Sequence, residues 1–265
     1  MKQTTMPSVR LNSTWPDVEI VHEDADLLAF NKPAGLLAVP DRCNKELENL
    51  LGLMQAAVRA KRPWALDHKL GYLANVHRLD ACTTGVLLLA RTKKALVELA
   101  KQFHEHHPGE TYAALIQGAL PEETTEVDLP IAPSPLHPGL SVADQDHGKP
   151  AHTRFTMVER FRGYSLIKAE PATGRWHQIR LHLKSIGCPL VADREYGTGQ
   201  PLLLSQLKRD YKMKAEGERP LIGRPALHSE RLEIRHPSTG EALVITAPWS
   251  KDLTIAVKYL RKFAG

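Results

Sequence analysis

Charged side chains stand at the start of an apolar run in the stretch "HRLDACTTGVLLLA", residues 77–90. Arg78 and Asp80 flank Leu79, and five apolar residues follow from Val86 onward. An aspartate at a turn that enters a buried strand can be desolvated and still reach the surface. Burial raises the pKa of such a carboxyl group unless a cation lies nearby. Asp80 is therefore a candidate catalytic carboxylate that needs a basic partner.

A second charged stretch, "TGRWHQIR" at residues 173–180, offers that partner. It has Arg175 before a predicted helix and Arg180 inside it. The two-pronged guanidinium of an arginine can keep an aspartate ionised and fix its direction. On these residues alone, a structural ion pair between Asp80 and one of these arginines is favoured over a catalytic one, because ion pairs at turn entrances are common.

Metal and cysteine chemistry are not expected. "HEHHP", residues 104–108, has Pro108 where a zinc-protease helix motif needs its second histidine. The three cysteines, Cys43, Cys82 and Cys188, lie far apart and form no CxxC pair, so we expect reduced thiols. The sequence also contains no complete nucleotide-binding fingerprint and no nucleophile elbow.

The composition is that of an ordinary globular chain, with 265 residues, 42% hydrophobic and 25% charged. Its formal net charge of +5 favours a polyanionic partner without proving one. No apolar run approaches the length of about 20 residues that spans a bilayer, and the first residues lack the apolar core of a secretory signal. We expect a cytoplasmic protein that does not bind membranes.

The hydrophobic pattern predicts strands and amphipathic helices in irregular alternation. One helix is expected after Asn44 as N-cap and before Pro63, and a second after Thr92 as N-cap. Further on, a helix closed by Gly187 precedes a β-hairpin, and a last helix is expected with Ser250 as its cap.

This pattern predicts an α+β fold with a mixed, mostly antiparallel central sheet, flanking helices and an active-site cleft. Residues 1–17 are expected to form a loose leader. Catalytic residues of such a domain belong on loops and strand ends, where the scaffold holds them still.

Six stretches resemble, in order, the motifs of the RluA family of pseudouridine synthases. Beside "HRLDACTTGVLLLA" these are "NKPAGLLAVP", "ETYAALIQG", "GKPAHTRF", "TGRWHQIRLHLKSIGCPLVADREYG" and "LHSERLEIRHPSTGE". The sequence departs from the family at Thr84 for the usual serine, at Trp176 for a smaller residue and at Ala192 for a glycine. The resemblance implies a catalytic domain over residues 18–265 without an S4 RNA-binding domain, and an insertion at about 199–224.

The resemblance implies an isomerase that detaches uracil from ribose within RNA, turns it, and rejoins it through C5. No cofactor or metal is expected. Asp80 would act on the sugar, either as a nucleophile at C1′ or as a base at C2′. Arg180 would pair with Asp80, Tyr112 would stack on the uracil and help to move the C5 proton, and Arg78 would occupy the space that the extruded base leaves.

Other candidate residues have two interpretations each. His77 either contacts substrate or is a structural hydrogen-bonding group, and the second role is favoured. Arg175 either contacts RNA phosphate or holds its own turn. Leu227 either walls the uracil pocket or belongs to the hairpin core, and Tyr112 could be a core aromatic residue. The basic stretch 207–220 either follows an RNA backbone or is a solvated loop.

Two functions therefore stand after the sequence alone. The first is a pseudouridine synthase that modifies specific uridines in structured RNA, such as a stem-loop of rRNA or tRNA. The alternative is an RNA-binding or chaperone protein that kept the fold and lost the reaction. We expect the protein to be a monomer.

Overall fold

The computed structural model describes residues 7–41, 44–106, 108–212 and 217–265. Predictions that concern the first six residues, Cys43 or positions 213–216 of the insertion lie outside this part of the chain. Within it, no helix is both long enough and apolar enough to traverse a lipid bilayer.

The described residues form thirteen strands and six α-helices. The strands are β1 Ser8–Val9, β2 Val18–Glu23, β3 Leu27–Lys32, β4 Ala74–Asn75, β5 Thr84–Ala90, β6 Gly109–Gln117, β7 Thr124–Asp128, β8 Ile131–Pro133, β9 Ser141–Ala143, β10 His152–Phe161, β11 Tyr164–Pro171, β12 Leu227–Arg235 and β13 Ala242–Thr246. The helices are α1 Leu50–Arg59, α2 Pro63–Asp67, α3 Lys93–Lys101, α4 Gln178–Ser185, α5 Leu204–Leu207 and α6 Lys251–Phe263, and a π-helical turn, Gln102–His106, follows α3.

The chain folds into two compact units. The first contains the residues up to Gly109 together with Ser229–Pro248, and the second contains Glu110–His228 and Trp249–Gly265. Two candidate catalytic groups, Tyr112 and Arg180, belong to the second unit, whereas Asp80 belongs to the first. The prediction of a single catalytic domain over residues 18–265 stays a prediction.

The first unit is built on strands in the order β1, β2, β3, β5, β12, with β13 paired to β12. β3 pairs antiparallel with both β2 and β5, so Phe30 lies between Ile20 and Leu87. Every residue of β5 is buried, as expected for a strand with apolar neighbours on both faces. Helix α3 covers one face and packs Ala95 and Leu99 against the buried side chains of β3 and β5.

A close approach of two strands explains the glycine that directly precedes the apolar run of β5. Gly85 has φ +108°, and a Cβ at this position would lie 2.0 Å from the backbone oxygen of Ser229 in β12. Only glycine permits both the backbone angle and the contact.

The expectation of a loose leader is wrong at Ser8–Val9. These residues form β1, antiparallel to the first residues of β2, and Val9 is buried. A short strand satisfies the hydrogen bonds of the β2 edge and covers apolar side chains that would otherwise meet water.

The start of the first predicted helix is also wrong. Helix α1 begins at Leu50, because the side chain of Asn49 accepts a hydrogen bond from the Gly52 amide at 2.8 Å. The Asn44 side chain instead closes a local turn through the Glu46 amide. The Thr92 cap of α3 is confirmed, since its hydroxyl accepts from the Ala95 amide at 3.0 Å.

The second unit contains the antiparallel strands β6, β11, β10 and β7, in that order. Helix α6 packs the apolar face that the sequence predicts, and its core partners include Leu115 of β6 and Leu166 of β11. Ser250 occupies the N-cap position of α6, but its side chain makes no cap hydrogen bond. Its hydroxyl accepts instead from Arg224, which also binds Asp252 through two hydrogen bonds.

A buried hydrogen-bonded chain joins α4 to β10. The Gln178 amide donates to the Thr153 hydroxyl at 3.0 Å, and that hydroxyl lies 2.9 Å from Nδ1 of His182. Nε2 of His182 lies 3.1 Å from the Leu129 carbonyl, which can only accept. A neutral His182 imidazole with its proton on Nε2 satisfies every hydrogen bond of this series. Burial lowers the pKa of His182 accordingly.

The strand pairs with a described register are antiparallel in both units, and helices pack against them. The predicted α+β class with a mostly antiparallel sheet is confirmed. The irregular order of strands and helices along the chain is typical of this class and differs from a regular βαβ series.

Candidate functional site

Asp80 lies where the sequence predicts, at the turn that enters the buried strand β5. The Asp80 carbonyl accepts a hydrogen bond from the Thr83 amide at 3.1 Å, which closes the turn. Leu79 is buried, Asp80 is partly buried and Arg78 is exposed. The leucine thus anchors the turn while the two charged residues beside it lie nearer the surface.

A buried lysine that the sequence reasoning missed is hydrogen-bonded to this turn. The Lys32 side chain is 0% exposed, and its ammonium group donates to the carbonyls of Pro33, Leu36 and Ala81 at 2.9, 2.7 and 3.0 Å. The Gly35 amide donates to the same Ala81 carbonyl at 2.8 Å. Because a buried ammonium group must be fully hydrogen-bonded, Lys32 fixes the residue next to Asp80 to the loop that follows β3.

His77 contacts the scaffold through both its edge and its face. Its Nε2 accepts a hydrogen bond from the Leu88 amide of β5 at 2.9 Å, and its ring stacks on Phe103 with centroids 5.2 Å apart. These contacts favour the structural role over direct substrate binding, and the substrate role stays a prediction.

Arg180 lies on α4 and is held by a buried carboxylate. Its Nε and one Nη each donate to Asp193 at 2.7 Å, and the same Nη donates to Glu195 at 2.5 Å. Arg180 is 4% exposed and Asp193 is 0% exposed. Burial alone would raise the pKa of Asp193, but the hydrogen bonds from Arg180 and from two backbone amides outweigh it and lower that pKa.

The predicted pairing of Arg180 with Asp80 concerns residues of different units and stays a prediction. Within its own unit, Arg180 also lies with its guanidinium carbon 4.9 Å from the ring centroid of Tyr196. Asp193 and the Tyr196 ring thus fix the direction of the Arg180 guanidinium independently of any substrate.

The remaining candidates of the second unit are anchored to different degrees. Tyr112 on β6 is 7% exposed, and its hydroxyl lies 3.5 Å from Glu110. Leu227, the first residue of β12, is 4% exposed. Arg175 donates from Nε to the Pro150 carbonyl at 3.0 Å, which supports a role in holding its turn. Their contributions to substrate binding stay predictions.

A match over more than half of the sequence identifies the family. Residues 26–185 match the protein family described as RNA pseudouridylate synthase, which covers more than half of the chain. The chain belongs to this family. The RluA-family resemblance of the six motifs is thereby confirmed. This pseudouridine synthase is an isomerase that acts on uridine in RNA.

Relatives of this pseudouridine synthase match nearly its whole length. It is 33% identical over 243 residues to "Ribosomal large subunit pseudouridine synthase C" of Haemophilus ducreyi, covering 91% of this chain and 69% of the relative. It is also 33% identical over 236 residues to "Dual-specificity RNA pseudouridine synthase RluA" of Pasteurella multocida, covering 89% and 94%. The solved structure of "Human RNA Pseudouridylate Synthase Domain Containing 4" has a TM-score of 0.68 at 22% identity, covering 91% and 92%, which supports the fold.

Two groups with structural roles at the candidate site escaped the sequence reasoning. Lys32 ends a strand that begins with four apolar residues and stands directly before a proline, and a charge in that position could have indicated a buried cation. Asp193 falls inside the longest motif, but nothing in its local sequence shows that it binds Arg180. Both side chains find their partners only in the folded chain.

Proposed function

We propose that this chain isomerises specific uridines of structured RNA, in rRNA or tRNA, with Asp80 as the essential carboxylate. The observation that carries the proposal is the fixation of the Asp80 turn. It is closed by its own hydrogen bond, followed by a fully buried strand and tied through Ala81 to Lys32. A reacting carboxylate has to be held within a fraction of an ångström, and a turn on a rigid strand provides that support.

The reaction assigns a task to each of the proposed groups. The bond between N1 and C1′ breaks, the uracil turns, a bond forms between C5 and C1′, and C5 loses a proton. Asp80 acts either as a nucleophile at C1′ or as a base at C2′. Arg180 keeps Asp80 ionised, and Tyr112 stacks on the uracil and helps to move the C5 proton.

Access to the uridine requires extrusion of the base from its stack, which costs a few kcal/mol that contacts with RNA must offset. Arg78 is exposed beside Asp80, in a position suited to fill the space that the base leaves. The net charge of +5 favours attraction of the RNA backbone. A compact stem-loop would present one uridine with the least unstacking.

The choice of rRNA or tRNA as target rests on the names of the relatives, which include ribosomal large subunit synthases and a dual-specificity RNA synthase. We further propose that the protein works as a monomer in the cytoplasm, where bacterial ribosomal RNA is found. Nothing in the comparisons favours the alternative of an RNA-binding or chaperone protein without catalysis.

The test is release of tritium from RNA labelled at uridine C5, with total RNA from a strain that lacks the protein. We expect wild type to release label, and Asp80→Asn to bind the same RNA without releasing it, because the amide can neither attack C1′ nor take a proton. Mapping the modified position in that RNA then identifies the target.

The matched control is Asp67→Asn, which removes an exposed carboxylate at the end of α2 in the same unit. It should release label as wild type does. Appreciable turnover by Asp80→Asn would contradict the catalytic assignment. If wild type binds RNA but releases no tritium, the alternative of a binding protein takes over.

A further inference from the structure

Trp176 presents a large aromatic ring to solvent. The residue is 39% exposed, and among the exposed large apolar residues of the described part of the chain it is the one Trp, Tyr or Phe. The exposed indole lies within the longest of the six motifs, residues 173–197.

The backbone of Trp176 is fixed by a buried residue of a neighbouring hairpin. The Ser141 hydroxyl, on β9, donates to the Trp176 carbonyl at 2.6 Å, and Ser141 is 4% exposed. The next residue, His177, has φ +58°, a left-handed conformation that is uncommon outside glycine. The indole is thus carried by a rigid turn and not by a loose loop.

A series of ring contacts connects Trp176 to the candidate site. The rings of Trp176 and His177 meet edge to face at 5.5 Å, and those of His177 and Tyr196 at 5.4 Å. Nδ1 of His177 lies 3.0 Å from the Tyr196 hydroxyl. The guanidinium carbon of Arg180 lies 4.9 Å from the centroid of the Tyr196 ring. We name Trp176, His177 and Tyr196 the aromatic series.

The charge around the aromatic series is mainly basic. Arg175 precedes Trp176, and the Lys184 ammonium lies 5.8 Å from the Tyr196 ring centroid. The two acids with a described contact to this group, Asp193 and Glu195, are both bound to Arg180. Basic side chains interleaved with an exposed aromatic ring are the combination that binds single-stranded RNA, since the cations attract phosphates and the ring stacks on a base.

We propose that Trp176 stacks on an unpaired base of the substrate RNA that neighbours the target uridine. This inference rests on the proposed function, because it takes Arg180 as the group that lies near the reacting uridine. The aromatic series then sets the distance between the stacked base and Arg180. Trp176 would select targets with an unpaired neighbour, as in a loop, over those within a continuous helix.

The experiment compares wild type with Trp176→Phe, Trp176→Leu and Trp176→Ala in the full chain. Binding is measured with an oligouridylate of about ten nucleotides, a length within the usual site size. Turnover is measured by tritium release from total RNA labelled at uridine C5. We expect Trp176→Leu and Trp176→Ala to weaken binding by about 5- to 150-fold, the range for loss of one stacked base. Their KM should rise by a similar factor, with kcat close to wild type.

Trp176→Phe, which keeps a stacking ring, should bind within a few-fold of wild type. Tryptophan fluorescence gives a second readout, since the chain has four tryptophans and Trp176→Phe removes one. Quenching by the oligouridylate in wild type should disappear in Trp176→Phe while its binding persists. A merely structural role would not separate phenylalanine from leucine in this way.

The control is Leu66→Ala, which removes an exposed apolar side chain of the other unit and should leave binding unchanged. Equal binding by wild type, Trp176→Leu and Trp176→Ala, with tritium still released, would overturn the stacking proposal and leave the proposed function intact. Equal binding by Trp176→Leu and Trp176→Phe would also overturn it, since an apolar contact would then suffice. Absence of tritium release by wild type would instead overturn the proposed function.

Discussion

Arg180 and Asp193 stand thirteen positions apart in the sequence and share two hydrogen bonds of 2.7 Å. A buried ion pair contributes little net stability compared with a well-packed apolar pair, because both charges lose their hydration. Such a pair instead holds its charged groups in one position. In this protein it holds the Arg180 guanidinium, which is proposed to face the reacting carboxylate.

Asp193→Asn is expected to lower kcat by about 100-fold, because loss of one charge frees the Arg180 fork to shift by the ångström that costs such a factor. The free energy of unfolding should fall by about 3 kcal/mol, since the buried Arg180 loses the charge of its buried carboxylate partner. Turnover by tritium release and denaturant unfolding measure the two effects.

Asp252→Asn is the matched control for that substitution. Asp252 also forms a double hydrogen bond with an arginine of this unit, Arg224. This pair is less buried, with side chains 13% and 34% exposed, so its loss should cost somewhat less stability, with a much smaller change in kcat. If the two variants lose activity in parallel with stability, Asp193 is structural and does not position Arg180.

At the level of secondary structure elements, β5, which follows the Asp80 turn, lies very close to β12 at Gly85. Gly85→Ala is expected to cost more than about 4 kcal/mol of unfolding free energy, since the new methyl group meets the Ser229 carbonyl. Chemical denaturation of the purified variant measures this loss.

Two other glycines separate the causes of that loss. Gly118 has φ +76° with open space around its missing Cβ, so Gly118→Ala should show only backbone strain, about 1 kcal/mol. Gly71 has open space and no positive φ, so Gly71→Ala should be neutral. A cost for Gly85→Ala no larger than that for Gly118→Ala would show that the strands can move apart.

The elements were predictable where the information is local. The Thr92 cap, the apolar face of α6 and the buried strand after Asp80 follow from neighbouring residues and were confirmed. The start of α1 was not, because Asn44 and Asn49 are equally good caps by type. Ser250 was misjudged because Arg224, far away in sequence, takes its hydroxyl.

The candidate site was likewise predictable only where the information is local. The sequence indicated Asp80 and Arg180 as chemically useful and placed the first correctly at a turn before β5. It could not indicate that Lys32 holds that turn or that Asp193 holds Arg180, because these partners are 13 to 49 residues apart along the chain. Pairings at such distances are set by the fold and carry no periodic signal.

For the whole molecule, buried titratable groups predict two stages of destabilisation on acidification. Burial lowers the pKa of His182, so the folded state binds fewer protons than the unfolded state below the ordinary histidine pKa of about 6.5. The free energy of unfolding should therefore begin to fall as the pH drops through about 6.5. The pKa values of Asp193 and Asp252 are also lowered, despite burial, by their arginines. Their stabilisation is present above about pH 4 and is lost as the pH falls through their folded-state pKa values.

His182→Gln tests the first stage. A glutamine can accept from Thr153 and donate to Leu129 as the neutral imidazole does, but it cannot be protonated. Chemical unfolding from about pH 8 to pH 3 should show the loss that begins near pH 6.5 in wild type and not in the variant, with the acidic stage common to both. Equal slopes near pH 6 would mean that His182 does not govern the first stage.

The three carbonyls around Lys32 also decide how that amine meets reagents. An acylating agent needs a deprotonated amine with an open approach, and Lys32 is fully enclosed and donates to Pro33, Leu36 and Ala81. Its nitrogen can react only when the loop after β3 separates from the Asp80 turn. Acylation of Lys32 is thus coupled to the opening of that turn. Its rate therefore reports how often the turn that carries Asp80 opens.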